Sequence, residues 1–250
     1  MDELKRRLTK ELQEDFNVKI MDSLSWGLPV HSIEISFQTV MRTKMDILMK
    51  MMMIAFQKAE IATVEELSDI LLVEQLFIQD LLGKMSRAHM IEKKGGFYAL
   101  TTIGVQQLED GLFEHEPESG SKDGLYSPCH RSFLNGERYD SSFEEKEVYR
   151  FANEFDDWDV MSLEDIDLVN VLKMMGVESS EGNIQIVISE IISTTDVQID
   201  AVPCLEFRLY NVVEDVLYAR VWNTLTEHWD AKLEAQLNEK ELKNWREMYL

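Results

Sequence analysis

Basic residues are scarce in this chain: 25 Lys and Arg stand against 47 Asp and Glu in 250 residues, a formal charge of −22. A field of that sign repels phosphate backbones and anionic membranes unless a local basic patch outweighs it, and it draws basic proteins at low salt. Cysteine is nearly missing too. Cys129 and Cys204 form no Cys-x-x-Cys pair, which excludes a disulfide framework or a structural zinc set and points to a reducing, cytoplasmic setting. The longest apolar stretch, Met45 to Phe56, is broken by Asp46 and Lys50 and is too short to cross a bilayer, so no membrane partner is expected. The opening MDELKRRLTKELQEDF is charged and amphipathic, unlike a secretory signal peptide. No Gly-x-x-x-x-Gly-Lys-Ser/Thr, Gly-x-Gly-x-x-Gly after a strand, Gly-x-Ser-x-Gly or His-x-x-x-His pattern occurs. The expectation is a non-enzymatic protein with no catalytic residues, cofactor or metal, although a site assembled from scattered carboxylates leaves no trace in sequence.

What is present begins with a core. At 45% hydrophobic residues and 9% aromatics, the chain can bury two small domains. Leu4, Leu8, Leu12 and Phe16 recur at helical spacing and predict a helix over 1–16. Residues 17–30 hold Gly27 and Pro29 and read as a connection. Ile33, Ile35 and Phe37 alternate with polar residues and predict a strand over 32–41. The methionines at 41, 45, 49, 51, 52 and 53 allow a soft-metal site, but Met45, Leu48, Met49 and Met52 share a helical face, which favours a core or a dimer seam.

Residues 44–111 carry the most specific pattern. Lys44 to Lys58 is an apolar helical run, and Thr63-Val64-Glu65-Glu66 has capping-box spacing, so a second helix begins near Val64. Leu67, Ile70 and Leu71 give that helix an apolar face. After a break at Leu72-Val73, Glu74 to Ala88 places Phe77, Ile78, Leu81, Leu82 and Met85 at helical intervals. Two short strands then meet at Gly95-Gly96, where glycine allows a tight hairpin. The phrase Leu100-Thr101-Thr102-Ile103-Gly104 resembles the Leu-Thr-x-x-Gly that closes the wing of many bacterial winged-helix proteins. That resemblance implies a winged helix-turn-helix fold, most often found in DNA-binding regulators and often reused as a docking module.

Residues 112–142 read as a linker, because EHEPESGSKDG offers little apolar surface. Cys129-His130 has the residue types of a nucleophile and base, but neighbours in sequence rarely face each other. A helix is expected over Phe143 to Phe155, then an acidic phrase from Glu154 to Asp159 lacking a calcium-loop pattern, and a helix from a Ser162 to Asp165 cap to Gly176. Strands are expected at Ile184 to Ser193 and Val197 to Val202. Leu205 to Tyr210 and Val216 to Trp222 should form a hairpin, and Asp230 to Leu250 a covering helix.

The expected fold class is α+β: an N-terminal winged helix-turn-helix domain over 1–111, a linker over 112–142, and a small acidic α+β domain with an antiparallel sheet over 143–250. Residues 1–110 hold 13 Lys and Arg against 17 Asp and Glu, so most of the acidity lies in the later part. Gln75, Gln79, Lys84, Arg87, Lys93 and Lys94 are the expected contacts to DNA or a partner, while Arg220, Trp222 and Trp229 could bind an anion or an aromatic ring. The first function expected is DNA-associated regulation with a sensing C-terminal domain. The alternative is a protein-interaction adaptor or nucleic-acid mimic that meets a basic protein surface; a homodimer is possible in either.

Overall fold

Alternating burial begins earlier than expected. Trp26, Leu28 and Val30 are buried, a period of two that makes residues 17–30 strand rather than connection. Gly27 bonds outward: its N–H donates to the Glu147 carbonyl at 2.9 Å and its carbonyl accepts from Tyr149 N–H at 2.8 Å. The glycine that reads as a breaker is therefore a pairing point. The computed structural model describes residues 1–136, 147–155 and 158–250.

In chain order the elements are α1 (Asp2–Leu12), β1 (Val18–Lys44), α2 (Ile47–Lys58), α3 (Val64–Leu71), α4 (Gln75–Arg87), β2 (Ile91–Lys94), β3 (Phe97–Leu100) and α5 (Thr102–Asp110). There follow β4 (Leu112–Glu114), β5 (Glu118–Ser127), β6 (Ser132–Leu134), α6 (Asp165–Met174), β7 (Ser179–Glu181), β8 (Ile184–Asn211), β9 (Val216–Asn223), β10 (His228–Trp229) and α7 (Ala231–Tyr249). These make two compact units. The first draws on Met1–Ile35, Lys122–Asp167 and Thr194–Leu250, the second on Ser36–Ser121 and Leu168–Ser193.

This arrangement corrects the expected fold class. The protein is mixed α/β: its antiparallel sheet takes strands from both ends of the chain, and the long β1 precedes helices α2 to α5. In the first unit the strand order is β10-β9-β8-β1-β5-β6, so the N-terminal strand lies inside the sheet that the sequence assigned to the C-terminal part. Long-range pairing of this kind leaves no local signal. The stretch 112–142 likewise holds β4, β5 and β6, because its polar side chains sit on strands whose backbones are paired. The three strands expected between Ile184 and Tyr210 are one continuous strand, β8. Of the helix expected over Phe143 to Phe155, residues 143–146 lie outside the described residues, and Ala152–Phe155 is a 3-10 turn. Asp156 and Asp157 also lie outside them.

Within the first unit β8 is the central layer. Leu205, Phe207 and Leu209 point to Leu8 of α1, while Cys204 joins Leu233, Leu237 and Trp245 of α7 on the other face. Glu206 follows the second face and is 0% exposed. It accepts from Trp26 Nε1 at 2.8 Å, from Arg150 at 2.7 and 3.0 Å, and from Arg208 Nε at 3.1 Å. Arg150 also donates to Glu241 of α7 at 2.7 and 2.6 Å. Burial by itself would lower the Arg150 pKa, but the bonds to Glu241 and Glu206 outweigh it and leave it raised. The expected β8–β9 hairpin is present, with Asn211 opposite Val216.

The second unit has its own core of Met45, Met49, Met52, Met53, Phe56, Leu67, Ile78, Leu82 and Met85. Thus the methionine stripe is packing. Asp46 caps α2 through Leu48 and Met49 N–H groups, and the Thr63–Glu66 capping box starts α3. Gly95 and Gly96 take φ of 63° and 93° between β2 and β3. The Leu-Thr-x-x-Gly phrase has a physical basis here. Thr101 Oγ1 accepts from Gly104 N–H at 3.1 Å and its own hydroxyl donates to the His89 carbonyl at 2.6 Å, while a Cβ on Gly104 would lie 2.0 Å from the Met90 carbonyl oxygen.

Two outcomes follow for stability. Gly104→Ala should destabilise the protein by about 2–3 kcal/mol, since backbone must move to admit one methyl; urea unfolding checks it. Glu206→Ala, which leaves Arg150 and Arg208 facing each other without their shared carboxylate, should cost about 3–5 kcal/mol by the same measurement.

Candidate functional site

The corner between α3 and α4 exposes what a folded chain ordinarily hides. Leu72 is 90% exposed, Leu76 74%, Phe77 61% and Ile70 55%. Leu72 also holds a left-handed backbone, φ 55° and ψ 40°, at the end of α3. For an L-residue with a side chain that conformation costs about 1–2 kcal/mol. The turn is nonetheless closed, with Ser68 Oγ donating to the Val73 carbonyl at 2.7 Å. On α4 the buried stripe is Ile78, Leu82 and Met85. Leu76 lies about 200° around the helix from Ile78, on the opposite side.

Phe77 and Ile70 correct the expected apolar faces, since both face outward. A warning is legible in the sequence: apolar residues at 76, 77, 78, 81, 82 and 85 cover more of the helix than one buried stripe can use.

The six expected contact residues are all exposed on α4 and the β2–β3 hairpin, but several are already engaged. Lys84 pairs with Asp80 at 2.9 Å and Arg87 with Glu116 at 3.4 Å. Lys93 lies 4.7 Å from the centre of the Tyr98 ring and donates to the Ala62 carbonyl at 3.4 Å. Gln75 and Gln79 sit beside Glu74 and Asp80, and Lys94 is on the outward side of the hairpin. Lys84 and Arg87 also line a groove whose apolar wall is Met41, Met49, Leu81 and Phe113.

No protein-family model, curated protein or solved structure matches this chain. The residues themselves therefore carry the whole assignment.

Arg220, Trp222 and Trp229 do come together, in the first unit, as mutual packing. Arg220 Nε donates to Glu234 at 2.8 Å, and its guanidinium lies 4.4 Å from the centre of the Trp229 ring. Trp222 and Trp229 meet edge to face at 5.3 Å, and Arg7 of α1 lies 5.7 Å from the centre of the Trp222 ring. The guanidinium that would meet an anion is held by a carboxylate of α7.

A second array lies beneath the α7 N-terminus. Ser127 Oγ is 2.8 Å from His130 Nδ1, and His130 Nε2 is 2.9 Å from Asp230. A carboxylate only accepts, so Nε2 donates to Asp230 and, in the neutral ring, Nδ1 accepts from the Ser127 hydroxyl. Hydroxyl, imidazole and carboxylate in that order can activate a nucleophile, but Ser127 is 0% exposed, so no substrate reaches it. Asp230 also caps α7 through Leu233 N–H and accepts from Asn223. The array ties the β5 end to α7 as a clamp. Among the described residues no helix is long and apolar enough to span a membrane, and no cluster of His, Cys, Asp and Glu is arranged to hold a metal.

Burial raises the Asp230 pKa, yet the His130 and Asn223 bonds and the Leu233 N–H outweigh it, and the net direction is down. A carboxyl lowered on folding adds stability above its unfolded value of about 4 and loses it as pH falls through the folded value. Asp230→Asn should therefore be less stable than wild type at pH 7 by about 1–2 kcal/mol. The gap should shrink below about pH 4, which urea unfolding at both pH values measures.

Proposed function

We propose that this protein is an interaction adaptor in which residues 44–111 form a winged-helix-type docking module whose contact face is the α3–α4 corner. One observation carries the reading. Leu72 bears a large apolar side chain at a strained position where glycine or asparagine is preferred, and it stands in solvent beside Leu76 and Phe77. Neither the strain nor the exposure helps the isolated fold, so both are accounted for by a partner that covers them.

DNA-associated regulation has Lys93, Lys94, Gln75 and Gln79 in its favour, all exposed. Against it, the start of the helix that would enter a major groove offers Glu74, Leu76 and Phe77, and two of its cations already pair with carboxylates of the same chain. Affinity for a duplex rests on cations free to replace counterions.

Three measurements test the choice together. Wild type and the Lys93→Gln, Lys94→Gln double variant should show equally little binding to a mixed duplex pool at low salt; steep, salt-sensitive binding by wild type alone makes the module a DNA reader instead. Proteins retained from a cell extract by wild type should be kept by the lysine variant and released by Leu76→Asp with Phe77→Asp. Leu72→Gly should raise stability by about 0.5–1 kcal/mol, relief of strain being partly offset by unfolded-state entropy, while weakening capture.

A further inference from the structure

We propose that the occupant of the α3–α4 corner is a cationic amphipathic helix of a partner protein, an inference that rests on the docking reading above. The charge distribution carries it. Residues 59–83 contain Glu60, Glu65, Glu66, Asp69, Glu74 and Asp80 and not one Lys or Arg. Glu66 is committed to the capping box, accepting from Ala62 and Thr63 N–H, and Asp80 pairs with Lys84. Glu60 precedes α3, and Glu65, Asp69 and Glu74 remain as exposed carboxylates on the stretch that carries Ile70, Leu72, Leu76 and Phe77. An apolar patch rimmed by one sign of charge selects a partner with apolar residues flanked by the other sign.

The same rim rejects the alternatives. A second copy would bring identical carboxylates together on a chain already at −22, and nucleic acid or an anionic membrane would meet like charge. The partner's backbone form follows from the elements at the face. The corner is built from the ends of two helices, α3 and α4, so it offers no strand edge for an extended peptide to join. Side-chain packing by a helix with an apolar stripe is the recognition mode that remains.

The probe is a synthetic peptide of about 18 residues, long enough for a helix to form on binding, with leucine at helical spacing and lysine elsewhere. Its two controls replace lysine with glutamate or scramble the order. Each is titrated by fluorescence anisotropy against the full-length protein and against the Leu76→Asp, Phe77→Asp variant. Circular dichroism confirms that the exposed substitutions leave the fold intact. The expected result is binding of the lysine peptide at least tenfold tighter than either control, and at least tenfold weaker binding to the variant. That variant adds two negative charges, so simple attraction to an acidic protein predicts the opposite change. Equal or tighter binding by it overturns the proposal. If the glutamate peptide binds wild type and loses the variant, the docking face stands and the cationic partner is wrong. If wild type is a dimer by light scattering and the variant a monomer, the occupant is a second copy and the proposal fails. If no peptide binds and no dimer forms, the proposal and the docking reading fall together.

Discussion

Glu206 is the constraint on which the first unit depends. A carboxylate with no solvent access is tolerated only when its lone pairs are filled and its charge is met, and here that requires three separate pieces of chain to converge. Trp26 comes from β1, Arg208 from β8 itself, and Arg150 from the turn that precedes α6. Arg150 extends the network to Glu241, and Arg208 stacks on Trp245, so α7 is drawn to the same point. Apolar packing on both faces of β8 would accept many small slides of helix over sheet. A network of directional bonds with a buried charge at its centre accepts one, because any slip leaves a cation or anion unmet in a low-dielectric interior.

The Ser127–His130–Asp230 array works by the same logic on a smaller scale. It gathers a β5 hydroxyl, an imidazole from the 3-10 turn Pro128–His130 and the N-cap of α7. Lys232 and Gln236 of α7 then donate to the carbonyls of His130 and Cys129. The types and order of the side chains match nucleophile chemistry, and burial removes that chemistry. Geometry among catalytic residue types is insufficient without a path for substrate.

In the second unit the anomaly is apolar. Its methionine core is closed, α2, α3 and α5 carry side-chain caps, and Gly95, Gly96 and Gly111 hold positive φ. Leu72 shares its left-handed backbone with His89 in this unit, but it is the apolar one of the two and stands in solvent, where glycine is the usual residue. Costly backbone positions cluster at functional sites, where another molecule can offset the strain.

Local physics made a good part of this protein legible from its sequence. The capping box at Thr63, the glycine pair of the β2–β3 hairpin, the helical spacing of the methionines and the β8–β9 hairpin all depend on residues a few positions apart. What only the tertiary structure decided lies at long range. Gly27 and Pro29 read as breakers because nothing nearby says that Tyr149 donates to the Gly27 carbonyl. Glu206 reads as one more acid among 47 because its three partners lie 180, 56 and 2 positions away. Ile70 and Phe77 read as core because helical spacing counts apolar residues without revealing how many of them the neighbouring helices can cover.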